Sequence, residues 1–164
     1  MNRVLKDALD AVAVPTPLKF DCGKLCGAVC CGSLEGEESG MLLFPGEEEI
    51  CRELPGWKLK KTAAGILAVC PGTCDRSIRP LACRIFPLLP VLRDGQITVE
   101  TDERARHICP LARSGKSGMD SDFISAVEKA GRLLAGDPEQ RDFLTLLTRE
   151  QDDLKALRKM LKGR

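Results

Sequence analysis

Hydrophobic residues recur along the chain with two periods, and the change from one to the other outlines the elements. Val4, Leu5, Ala8, Leu9 and Val12 recur at helical spacing over residues 2–14, and Pro15 and Pro17 stop the pattern. Residues 41–44 predict a short strand, Pro45-Gly46 a turn, and residues 47–54 a helix with acidic side chains in its first turn, where the helix dipole favours them. Residues 57–61 and Gly65–Val69 predict a pair of strands, the second running straight into Cys70. Leu88–Arg93 and Gln96–Thr101 flank Asp94-Gly95, the signature of a tight hairpin. After a Ser- and Gly-containing stretch at 114–118, read as a linker, the period becomes helical. Asp120, Ser121 or Asp122 can cap a helix whose apolar face is Phe123, Ile124, Val127, Ala130, Leu133 and Leu134, and Gly136 ends it. Asp137-Pro138-Glu139 opens another, with proline at the first helical position. This second helix carries Phe143, Leu146, Leu147, Leu154, Leu157 and Leu161. The expectation is an α+β fold: an N-terminal helix over 1–19, a small cysteine-rich domain of short strands and helices over 20–113, and a C-terminal helical hairpin over 114–164.

Composition narrows this picture. With 43% hydrophobic and 30% charged residues, the 164-residue chain is that of a globular domain rather than a disordered tail. A net charge of +1 gives no overall field that marks a nucleic-acid or membrane binder. Five Phe, one Trp and no Tyr are a thin supply of large core residues, so something besides aromatic packing is expected to help hold the fold.

Nine cysteines are the outlying feature. The N-terminal sequence has charges spread through it and no uninterrupted apolar core of a signal peptide, and no apolar stretch is long enough to span a membrane. The expected location is the cytoplasm, where thiols stay reduced and tightly spaced cysteines act as metal ligands or redox groups rather than crosslinks. Eight of them fall into two groups of four: Cys22, Cys26, Cys30 and Cys31, spaced CxxxCxxxCC, and Cys70, Cys74, Cys83 and Cys109. Thiolates are strong, soft ligands for zinc and for iron–sulfur clusters. A CxxxC step suits one helical turn or a tight glycine loop, and either brings two sulfurs to one side of the backbone. Side chains of the adjacent pair Cys30-Cys31 diverge, which favours two metals, or two irons of one cluster, over a single isolated zinc.

The ordered set of motifs, CxxxCxxxCC, then CxxxC, then RPLACRIFP, then a final Cys-Pro, resembles the YkgJ-type cysteine-cluster family, a zinc- or iron-chelating domain. The likeness covers residues 20–110. It implies Cys22, Cys26, Cys30, Cys31, Cys70, Cys74, Cys83 and Cys109 as ligands and leaves Cys51 outside the motif. A related cysteine cluster in flagellin lysine-N-methylases extends the implication to iron–sulfur and S-adenosylmethionine chemistry. The spacing is not the CxxxCxxC of radical S-adenosylmethionine enzymes.

Other residues qualify the expectation. Arg76, Arg79 and Arg84 flank Cys74 and Cys83. Guanidinium groups there would offset the negative charge of a thiolate site and donate hydrogen bonds to sulfur, with Arg79 and Arg84 favoured because they sit inside the motif. The same arginines suit an anionic substrate. His107, the only histidine, is a reserve ligand. Cys51, beside Ile50 and Leu54 on the predicted helix, reads as a core residue. The acidic run over 35–49 reads as a solvated face, and the leucines of the last helix as packing or as a stripe for a protein partner. Nothing resembles a phosphate loop, a serine triad or a paired-carboxylate centre. The functional expectation is therefore a metal-binding protein holding zinc or an iron–sulfur cluster, the metal at least partly structural. An iron–sulfur enzyme or redox protein, linked through the resemblance to protein lysine N-methylation, is the alternative.

Overall fold

The structure, a computed structural model, describes residues 1–31, 40–72 and 75–163. Asn2 accepts a hydrogen bond from Leu5 N at 2.8 Å and caps α1 (Arg3–Ala11), whose apolar positions Leu5, Ala8 and Leu9 are all buried. A single helical turn, α2 (Gly23–Cys26), and a 3-10 turn (Val29–Cys31) follow. Strands β1 (Met41–Leu42), β2 (Lys58–Thr62) and β3 (Gly65–Val69) form an antiparallel sheet in the order β1-β3-β2, with α3 (Glu48–Arg52) between β1 and β2. After a 3-10 turn (Arg76–Ile78) and α4 (Leu81–Ile85), β4 (Leu88–Arg93) pairs with β5 (Gln96–Thr101). Asp94 and Gly95 both have positive φ, 50° and 75°, as the two-residue hairpin turn requires. The chain then runs through a 3-10 turn (Glu103–His107), α5 (Pro110–Ser114) and a 3-10 turn (Lys116–Gly118) into α6 (Ser121–Leu134) and α7 (Pro138–Lys162).

The fold is α+β, as the two hydrophobic periods imply. Asp120 caps α6 through Asp122 N and Phe123 N; Asp137 caps α7 through Gln140 N, with Pro138 in its first turn. The main core is built around the β4–β5 ribbon. α6 packs on α1, β4 and β5, while α7 packs on β4 and on the 3-10 turn after β5. Leu5, Val12, Phe44, Leu81, Leu88, Val91, Phe123, Leu134 and Leu144 share this core, and the Phe44 and Phe143 rings meet edge to face at 5.2 Å. At Gly131 a Cβ would lie 2.6 Å from Pro90 Cβ and 2.9 Å from Ile97, so only glycine lets α6 approach the ribbon this closely.

The structure redraws several details. The helical segment buries its face in the same core as α1 and the ribbon. Along α7 the buried positions are Gln140, Phe143, Leu144, Leu147, Thr148 and Gln151, whereas Leu157, Met160 and Leu161 are exposed. The polar members are buried because they hydrogen-bond across to other elements: Gln140 Nε2 to Pro45 O at 2.7 Å, Leu92 N to Thr148 Oγ1 at 2.9 Å, Glu103 N to Gln151 Oε1 at 3.0 Å. Residues 114–118 are a tethered turn, with Lys116 Nζ donating to Val99 O. Among the described residues no helix is long and apolar enough to cross a membrane.

Candidate metal centre

Cys22 precedes α2 and Cys26 ends it, so the first CxxxC is one helical turn, and Leu25 N closes it on Cys22 O at 3.0 Å. Gly27 (φ 65°) and Ala28 (φ 54°) then reverse the chain through left-handed conformations, with Ala28 N bonded to Gly23 O at 2.9 Å. Ala28 lacks the freedom of glycine, so this turn carries backbone strain. The reversal delivers Cys30 and Cys31 on the following 3-10 turn.

From the opposite side, α4 presents Cys83, and Cys109 stands at the N-terminus of α5, where Pro110 opens the helix. Cys109 is buried against Ala105 and Ala112, with Phe86 and Leu111 packed alongside. Cys22, Cys26, Cys30, Cys83 and Cys109 all line one pocket, together with Arg76, Arg79 and Phe86. The grouping in space thus crosses the grouping in sequence: three cysteines of the first cluster face two of the second. Cys31 is not among the residues that line this pocket, and its carbonyl comes within 3.5 Å of where a Gly72 side chain would begin. In that loop Gly72 N donates to Cys70 Sγ at 3.2 Å. Cys74 lies outside the described residues. No disulfide joins any two of the described cysteines.

The electrostatics follow from this packing. Burial, together with the neighbouring Cys109 and Cys26 sulfurs, raises the Cys22 thiol above the usual range, while Arg79 favours its thiolate. Cys30 and Cys31 hydrogen-bond to each other. Cys31 is the thiolate of the pair, brought down to about 6 chiefly by the bond from Cys30 and further by Arg79, and Cys30 is pushed up as the donor.

Arg79 lines the pocket. Arg84 spends Nε on Arg79 O at 2.8 Å and Nη2 on Ser77 O at 2.7 Å, clamping the loop that carries Arg79. His107 is exposed and Cys51 is buried with Leu43 and Ala68, and neither lines the pocket. Burial and the nearby Glu47 and Glu48 push the Cys51 thiol up to about 12, which leaves it a small apolar core residue.

Glu47 departs from the solvated face expected of the acidic run. It is fully buried, and its carboxylate accepts from Phe44 N at 2.9 Å and from Leu81 N and Ala82 N in the first turn of α4. It serves as a distant cap for the short helix that carries Cys83. Burial raises its carboxyl to about 7, against the opposing pull of those backbone donors and Arg84. Nothing local in the sequence separates Glu47 from Glu48 and Glu49.

The donor set suits a thiophilic metal: soft sulfurs from several segments, with guanidinium charge beside them. Among the described residues, no three His, Cys, Asp or Glu side chains close together into a formed ligand set. The fit therefore rests on the kind and placement of the donors, not on coordination geometry. Comparison with family models, curated proteins and solved structures gives no match to the chain.

Proposed function

We propose that this protein binds metal, as zinc or an iron–sulfur cluster, through its cysteine thiolates, and that the metal is at least partly structural. The observation that carries the reading is the convergence of Cys22, Cys26, Cys30, Cys83 and Cys109 on one pocket beside Arg76 and Arg79. Those five are the residues that would hold the group, with Cys31 and Cys70 on the adjoining loop side and Cys74 added by the motif. A thiolate-bound metal would tie α2 and its following turn to α4 and α5, and a cluster would add one-electron exchange. A structural role is supported by the absence of any buried residue in α2 or in Val29–Cys31, a segment with little apolar burial of its own. The cytoplasm, with its reduced thiols, is the compartment in which such a site persists.

Anaerobic purification, elemental analysis and a visible spectrum test the proposal. At least about one equivalent of zinc or iron per chain is expected. A colourless protein containing zinc identifies a closed-shell metal, and a brown, iron-containing one a cluster open to redox or enzymatic use. Metal-free protein that is fully folded with reactive thiols would overturn the reading.

A further inference from the structure

Arginines near the cysteines spend their guanidinium groups differently. Arg84 gives two N–H groups to backbone carbonyls and is absent from the pocket wall. Arg113, close to Cys109 in sequence, does the same, with Nε on Arg106 O at 2.9 Å and Nη2 on His107 O at 3.1 Å. Arg76 is different. It lines the pocket, and its Nη2 reaches away to Pro15 O at 2.6 Å and Val12 O at 3.4 Å, so the chain just beyond α1 fixes the plane of the group. Its Nε is shut off from solvent and, among the described residues, has no hydrogen-bond partner.

A buried N–H without an acceptor is costly, and in a folded protein it marks a missing partner. Pocket walls near Arg76 are mostly sulfur and carbon; burial and the neighbouring Arg79 and Arg84 oppose its charge, and Cys22 and Asp21, when ionised, favour it. A thiolate keeps lone pairs after it binds a metal, and N–H donors commonly satisfy them. Resting on the metal-binding reading, we propose that Arg76 is a positioning residue whose Nε–H donates to a metal-bound thiolate, that of Cys22. It thereby joins α1, through Val12 and Pro15, to the first cysteine turn. Arg76 would also offset part of the negative charge that thiolates gather at the site.

Cobalt(II), added to the whole protein stripped of its metal, is the probe. The energy of sulfur-to-cobalt charge transfer reports directly on hydrogen bonding to sulfur, because a donor stabilises the sulfur lone pair. Arg76→Gln is expected to weaken cobalt binding by about 10–100-fold and to move the charge-transfer band to lower energy. Arg76→Lys, which keeps the charge but not Nε–H, should recover part of the affinity and show the same band shift. It carries the test if the Gln variant does not fold. Arg113→Gln removes an arginine that clamps backbone near Cys109 and should leave the band where it was. If both Arg76 variants keep the wild-type band and affinity, or if Arg113→Gln moves the band equally, the assignment is overturned while metal binding stands. If the wild-type protein takes up no cobalt, the metal-binding reading fails and this assignment with it.

Discussion

Helix α6 and the helical turn α2 belong to one fold, yet different forces hold them. Six of the 14 residues of α6 are buried, an aspartate caps it, and its glycine lets it settle onto the β4–β5 ribbon. α2 buries none of its four residues, has no side-chain cap, and ends in two successive left-handed residues. Apolar burial is ample for the first and nearly absent for the second. Phe20, Leu25 and Val29, the large apolar residues around α2, are exposed. Where hydrophobic burial is this scarce, the proposed metal would supply the order, and the residues concentrated there are cysteines.

If the site holds metal as proposed, stripping it should separate the behaviour of the two regions most widely. Structural thiolate–zinc sites supply roughly 10–16 kcal/mol of apparent binding free energy, more than the total stability of many domains. Hydrogen exchange before and after chelation is expected to show residues 20–31 losing protection, while α6 and the β4–β5 ribbon keep theirs. Cys26→Ser should reproduce this loss without a chelator, and Cys51→Ser should retain both metal and protection. Unchanged exchange across residues 20–31 would mean that the metal does not hold that end. Next in size, Phe123→Ala empties a fully buried position of the main core and should cost about 3–5 kcal/mol in chemical denaturation. Its metal content should stay at the wild-type level, because Phe123 does not line the pocket.

The smallest effect lies at the joint between the two regions. Glu47 has its carboxyl raised from 4.5 to about 7 in the folded protein. A raised carboxyl binds its proton more tightly when folded, so its contribution favours folding at low pH and is lost as pH rises from 4.5 through 7. The full swing is on the order of 3 kcal/mol. Glu47→Gln, neutral at every pH, should flatten the wild-type decline over this window when denaturation is measured at a series of pH values. Parallel stability curves for the two proteins would show that the buried carboxyl is not the titrating group.

Much of the framework was legible because its signals are local. Asp94-Gly95 between two β-prone runs gives the hairpin, and Asp120 and Asp137-Pro138 give the starts of α6 and α7. What escaped the sequence depends on partners far along the chain. Gln140, Thr148 and Gln151 look like surface residues until Pro45, Leu92 and Glu103 are placed opposite them. Glu47 looks like its two acidic neighbours until Leu81 and Ala82 present their amides. At the candidate site, the motif marks the cysteines as a set, but spacing alone puts Cys83 and Cys109 with Cys70. The fold also brings them to one pocket with Cys22, Cys26 and Cys30, Cys83 on a helix whose Leu81, Ala82 and Ile85 lie in the main core and Cys109 in a small cluster with Ala105 and Ala112. The difference between Arg76 and Arg84 is equally invisible in sequence, since it lies in which carbonyls each guanidinium reaches.

The pocket draws on cysteines from both ends of a long stretch of chain, and that sets a timetable during synthesis. Cys22 and Cys109 are 87 positions apart (109 minus 22). At roughly 5–20 residues per second, the ribosome needs about 4–17 s to make the second after the first. Throughout that interval Cys22, Cys26 and Cys30 have emerged, or are emerging, without the sulfurs they will face. The α5 and α6 segments that anchor the far wall, including the Asp120 N bond to Pro17 O, come later still. A nascent chain thus carries a half-built thiol cluster, exposed to oxidants and to mismatched metals. Any metal that the finished pocket holds, as proposed, would be loaded after the segments of its far wall are made.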